Sequence, residues 1–266
     1  MLKMKCTGDV AHAAEHLISL GFVVLDGLTS EVVEDARRCI MSNIGLLKNT
    51  RPNQSSGHIA GFHRYPQFER LHSLVSSDPV VLDVLKCATD CSLIRSIGLS
   101  DITMNRSQQW HVDLLRGRYQ HHLTPDICWG SDGGGVYKVL LYLQAGTALR
   151  VVPGAHTCPV ALDDDRKSEP PSSRDIQAVK VEAGGIVVMD VRLPHRGSTD
   201  DEMSDSRFAH DPKILVSTVL AGDGKPLAEA MERGNSERLC DWDSAHRGCS
   251  APQLSSRQMP ILAVRA

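Results

Sequence analysis

The chain has 266 residues, enough for one large domain or two small ones with a real apolar core. A net charge of −3 offers no basic face for phosphate backbones, and 4% aromatic residues leave little to stack on bases, so nucleic acid is an unexpected partner. No run is long and apolar enough to span a membrane. The start of the chain carries Lys3 and Lys5 but no apolar signal core, and eight cysteines (Cys6, Cys39, Cys87, Cys91, Cys128, Cys158, Cys240 and Cys249) follow no pairing pattern. Reduced thiols and a cytoplasmic location are the expectation.

Taken in order, the chain begins helical. Asp9 can cap a helix over Val10 to Leu20, with Val10, Ala14, Leu17 and Ile18 on one face. Gly21 to Gly27 encloses a short apolar run that reads as a strand. Thr29 or Ser30 opens a second helix, with Val32, Val33, Ala36, Ile40 and Ile44 at helical spacing. Arg51 to Gly61 is polar and reads as a loop over a site. Asp78 followed by Pro79 is a cap and first helical position, with Val80 to Ala88 behind it. From about residue 92 the period shortens to that of strands: Ile102 to Trp110, Val136 to Leu143, Leu149 to Pro153, Ile176 to Val181, Ile186 to Val191 and Ile214 to Leu220. Asp163 to Arg174 and Ser198 to Ser206 read as surface loops. The expectation is a single domain, 1–266, mainly β with flanking α. It divides into a mainly helical part (1–91), a jelly-roll, double-stranded β-helix core (92–222) with the helices packed outside, and a C-terminal extension (223–266).

Chemistry concentrates at Trp110-His-Val-Asp-Leu114 and Pro194-His-Arg-Gly-Ser198. On a strand, residues two apart share a face, so His111 and Asp113 would present an imidazole and a carboxylate to one point. His195, just beyond the apolar run 185–191, can supply a third ligand. Two histidines and one carboxylate on one side of a metal leave the other side open, the arrangement of non-haem Fe(II) oxygenases. Other motifs carry less. Gly130 to Gly135 lacks the Lys-Ser/Thr and the helix of a phosphate loop, and no Gly-x-Ser-x-Gly is present. Cys240, His246 and Cys249 fit no common zinc spacing, and His121-His122 reads as a solvated pair beside a substrate pocket.

Four stretches together resemble the phytanoyl-CoA dioxygenase-like family of Fe(II)/2-oxoglutarate oxygenases. They are Leu17 to Leu28, Trp110 to Leu114, Leu149 to His156 and Gly184 to His195, and they run in family order. The resemblance implies that His111, Asp113 and His195 hold Fe(II), that 2-oxoglutarate and O₂ are co-substrates, and that succinate and CO₂ leave as a small-molecule metabolite is hydroxylated, desaturated or cyclised. It also implies a basic anchor for the far carboxylate of 2-oxoglutarate. Arg207 stands at the family's distance from the distal histidine and is favoured, with Lys213 as the rival. Related halogenases carry a small residue where this chain has Asp113, so halogenation is not implied. Arg116, Arg118, His121 and Trp129 follow the proximal motif and are candidates for substrate binding. A monomer or homodimer is expected. The reading from a different class is a cupin-like barrel whose metal serves an isomerase, a hydrolase or a binding module; only the oxygenase needs the 2-oxoglutarate anchor.

Overall fold

The computed structural model describes residues 8–49, 56–160 and 176–246. Helix α1 (Gly8–Leu20), strand β1 (Phe22–Leu25), helix α2 (Ser30–Ser42), strand β2 (Gly57–Ala60) and helices α3 (Glu69–Ser76) and α4 (Pro79–Thr89) come first. Strand β3 (Ile94–Met104), helix α5 (Pro125–Trp129), and strands β4 (Val136–Tyr142), β5 (Arg150–Val151), β6 (Gln177–Ala178), β7 (Ile186–Asp190) and β8 (His195–Arg196) follow. Helix α6 (Asp200–Met203), strand β9 (Ile214–Gly222) and helix α7 (Pro226–Ala245) close the described chain. Six strands form one sheet in the order β1-β7-β4-β9-β3-β2, and three form a second, β6-β5-β8. Every pairing between strands is antiparallel. The fold is mixed α/β, with more helix than the expected mainly-β architecture.

Alternation in β4 explains how the large sheet is used. Tyr137, Val139 and Leu141 join the core formed with α1 to α4, including Leu17, Ile40, Val75 and Leu85. Leu140 and Tyr142 face the opposite way, into a second core with Leu149, Val151, Val187 and Met189. A strand of period two buried on both faces reads as a continuous apolar run, as this one does except at Lys138. Lys138 shares the face of Leu140 and Tyr142, toward the smaller sheet. The N-terminal helices therefore cover one face of the six-stranded sheet and leave its other face to line an interior. Helix α4 begins as its sequence dictates: Asp78 Oδ1 accepts from the Val81 amide at 2.9 Å, with Pro79 at the first helical position.

Several boundaries differ from the sequence expectations. Gly57 to Ala60 is a buried edge strand paired with β3, with Ile59 opposite Ile102, where a polar loop was expected. Its two apolar residues are too few to set a period. Residues 51–55 and 163–174 lie outside the described residues, as do Cys6 and Cys249. Within the expected loop 198–206, α6 forms on a capping box in which Thr199 and Glu202 each accept from the other's backbone amide. Strand β3 starts at Ile94 and stops at Met104, because Asn105 takes a left-handed conformation (φ 48°) that ends extended pairing. The C-terminal extension contains the 20-residue α7, which packs on β3: Asn235 Nδ2 donates to the Ile97 carbonyl at 3.1 Å, and Gly234 lies where a Cβ would meet Leu115 at 2.4 Å. Among the described residues, Cys39, Cys91, Cys128, Cys158 and Cys240 are free thiols. No helix among the described residues is long and apolar enough to cross a membrane.

Candidate metal centre

His111 and His195 sit opposite one another as an isolated antiparallel bridge. The His111 amide donates to the His195 carbonyl at 2.8 Å, and the His195 amide donates back at 2.9 Å. Asp113 lies two residues on, in a bend, with its amide donating to the Val191 carbonyl at 2.7 Å. The expected continuous strand is absent at this point. Three long-range backbone bonds fix the ligand positions instead. The three side chains converge: His111 Nε2 lies 3.7 Å from Asp113 Oδ1, His195 Nε2 lies 3.5 Å from Asp113 Oδ2, and the ring centroids are 4.2 Å apart. One ligand atom from each residue falls within 4.8 Å of the others.

The proton positions follow from hydrogen bonds on the far side of each ring. His111 Nδ1 is 2.6 Å from the Gln109 carbonyl, and His195 Nδ1 is 2.9 Å from the Leu193 carbonyl. A carbonyl only accepts, so each Nδ1 carries the proton and each Nε2 presents a lone pair. Burial, and for His111 also the neighbouring His195, pushes both imidazoles below their ordinary pKa, so both are neutral at pH 7. Burial alone would raise the Asp113 carboxyl; the charges of Lys138 and, more weakly, Arg116 outweigh it and keep Asp113 ionised far below the usual carboxylate range. Asp113 Oδ2 is buried and makes no hydrogen bond. His111 Nε2, His195 Nε2 and Asp113 Oδ2 thus face one another with no proton between them, an arrangement that a bound metal cation would satisfy. Two imidazoles and one carboxylate suit Fe(II).

Lys138 is the residue that sequence reasoning missed. Its Nζ donates to Asp113 Oδ1 at 3.0 Å, with both side chains largely buried. The signal was present: a lone lysine on the inward phase of an otherwise apolar strand. Beside the triad is a cavity whose lining includes His195, Lys138, Asp101, Leu140, Ser217 and Lys213. Asp101, Ser217 and Leu140 form one row across β3, β9 and β4. Lys213 reaches this cavity from the start of β9, and its Nζ donates to Ser198 Oγ at 2.6 Å. Arg207 does not reach it. Its side chain is 70% exposed, pairs with Asp205 at 3.2 Å and lies over the Phe208 ring.

Arg116, Arg118, His121 and Trp129 are all absent from the cavity lining. Arg116 donates to the Val112 carbonyl, and its charge acts on all three triad residues. Arg118 pairs at the surface with Asp241, and Trp129 Nε1 donates to the His156 carbonyl at 3.2 Å. His121 and His122 meet Glu237 of α7, away from the triad.

Solved structures of non-haem α-ketoglutarate-dependent enzymes share this fold. EctD from S. alaskensis aligns with a TM-score of 0.61 at 17% identity, covering 83% of this chain and 81% of that one. The epimerase SnoN, solved with Fe³⁺, α-ketoglutarate and nogalamycin RO, aligns with a TM-score of 0.57 at 13% identity, covering 80% and 84%. The carbocyclase SnoK from nogalamycin biosynthesis gives 0.57 at 17%, covering 79% and 83%. EctD has also been solved with bound Fe and with 2-oxoglutarate and 5-hydroxyectoine. No family model matches the sequence, and no curated protein matches it. The resemblance drawn from the ordered motifs is therefore met at the level of the fold.

Proposed function

We propose that this protein is an Fe(II)/2-oxoglutarate-dependent oxygenase acting on a small-molecule metabolite. The convergence of His111, Asp113 and His195 as three unprotonated acceptors carries the reading. We take the two sheets as the halves of a double-stranded β-helix and the chain as one domain, with α7 belonging to it. When bound, iron with 2-oxoglutarate and O₂ supplies the oxidant that removes hydrogen from substrate, and succinate and CO₂ leave. The chain's own residues orient and protect. The Gln109 and Leu193 carbonyls hold the two imidazoles in the metal-binding tautomer. Leu140, Tyr142, Leu149 and Leu215 exclude water from the cavity wall. Because Asp113 keeps a carboxylate where halogenases need an open position, hydroxylation, desaturation or ring closure is the outcome expected.

Lys213, rather than Arg207, is the anchor proposed for the far carboxylate of 2-oxoglutarate, because it lines the cavity beside His195. Loss of one buried charge-assisted hydrogen bond costs roughly 1.5–3 kcal/mol. Lys213→Ala should thus weaken 2-oxoglutarate binding to the Fe(II)-loaded protein about 10- to 100-fold. Arg207→Ala should leave it unchanged, and the opposite pattern in equilibrium binding would reverse the assignment. Metal binding with no 2-oxoglutarate binding at all would favour the non-oxygenase barrel.

The same lysine sets a pH dependence. Burial, and secondarily Arg196, lowers its pKa, against an opposing pull from Glu202, to about 8. The ammonium is the form that binds a carboxylate. It is present below that value and lost above it, so 2-oxoglutarate affinity should fall as pH rises through about 8. Affinity measured between pH 7 and 9 should show this slope in the natural protein and none in Lys213→Ala.

A further inference from the structure

We propose that His121, His122 and Glu237 form a second divalent-metal site, of the kind that takes Zn²⁺, tying the turn after the triad loop to α7. The turn Gly117–His122 is one 3₁₀ helix that begins a few residues after Asp113. It lies against the acidic side of α7. Glu237 and Asp241 are four apart on that helix and so share a face. Asp241 accepts from both Arg118 and the Tyr119 hydroxyl, which brings the two following histidines to Glu237. His122 Nε2 is 2.8 Å from Glu237 Oε1, His121 Nε2 is 3.9 Å from the same oxygen, and the two rings are 3.9 Å apart. One ligand atom from each residue falls within 4.8 Å of the others.

The backbone holds His121 in a ligand-presenting orientation. His121 Nδ1 lies 2.6 Å from the Arg118 carbonyl and so must donate to it. That bond orients the ring so that Nε2 points toward Glu237 Oε1. A metal ion among His121 Nε2, His122 Nε2 and Glu237 would replace the hydrogen bond between His122 and Glu237 and release its proton to solvent. Tetrahedral zinc with bonds of about 2.0–2.1 Å sets its ligand atoms roughly 3.3 Å apart, and the two distances to Glu237 bracket that spacing. Two imidazoles and one carboxylate suit zinc better than magnesium or calcium, which prefer oxygen throughout. Water completes the fourth position. The free thiol Cys240 borders the same open depression. Bound metal would join the segment that follows the triad to a helix already packed on β3.

The test counts metal. Protein incubated anaerobically with Fe(II) and 2-oxoglutarate, then with Zn²⁺, is desalted and its total iron plus zinc per chain measured. The natural protein should hold one equivalent more than His121→Ala/His122→Ala. Zinc should also raise Tm in the natural protein by more than in that variant. Glu237→Gln, which keeps a hydrogen-bond acceptor for His122 but removes the charge, should lower zinc affinity at least tenfold. Equal metal content in the natural protein and the double variant would overturn the proposal, as would full zinc affinity in Glu237→Gln. His121 is 61% exposed and Glu237 is at the surface, whereas His122 is 14% exposed, so His121→Ala alone and Glu237→Gln keep the test independent of folding.

Discussion

Replacing His111, Asp113 or His195 by alanine should each abolish Fe(II) retention after desalting and reduce turnover at least 100-fold. Even partners one bond removed from a metal ligand are worth about 10- to 100-fold in affinity or activity, and these residues are the proposed ligands themselves. Each supplies a lone pair that nothing nearby replaces: among the described residues, the only other cluster of metal-ligating type is the one at His121, His122 and Glu237. The three variants should differ in stability. The histidines are buried and neutral, so their loss chiefly leaves space. Asp113→Ala strands the buried Lys138 ammonium and should destabilise most. Retention of Fe(II) and full 2-oxoglutarate consumption in any one variant would remove that residue from the site.

Lys138→Met should destabilise the metal-free protein by about 3–5 kcal/mol, the range for breaking a buried ion pair from one side. Methionine fills most of the volume, so the loss is electrostatic. In the natural protein Lys138 compensates Asp113 while no metal is bound. A divalent cation at the triad supplies the same compensation. Fe(II), or redox-inert Mn(II), should therefore recover most of the lost stability and stabilise the variant more than it stabilises the natural protein. Denaturant unfolding with and without metal measures both quantities. A loss of equal size in the two conditions would mean that Lys138 acts by packing alone.

The triad was legible because its signals are local. His111 and Asp113 are two residues apart, and His195 follows an apolar strand whose end is plain in the sequence. The supporting geometry was less so. His111 and Asp113 lie on no long strand; their backbone bonds go to His195 and Val191, far away in sequence. The proposed anchor moves from Arg207 to Lys213 for a related reason. Counting residues from His195 selects Arg207, but the segment around it coils into a 3₁₀ turn (Ser206–Ala209) and carries Arg207 outward. Lys213, at the first turn inward, reaches the cavity. Helix α7 was hidden by its composition: charges occur all along it, and Gly234-Asn235 interrupts the Leu227, Met231, Leu239 stripe. Both interrupting residues are explained by contacts the sequence cannot show, the close approach to Leu115 and the hydrogen bond to Ile97. Strand β2 was lost for want of length, since four residues with polar flanks set no period.

The triad and the adjoining cavity are proposed to bind Fe(II) and 2-oxoglutarate together. Anaerobic visible spectroscopy tests this directly, because a 2-oxo acid chelating Fe(II) gives a weak, broad charge-transfer band that neither component gives alone. The band should appear when both are added to the natural protein. It should need more 2-oxoglutarate in Lys213→Ala and be absent in His195→Ala. Fe(II) bound to the protein at saturating 2-oxoglutarate with no such band would contradict the account.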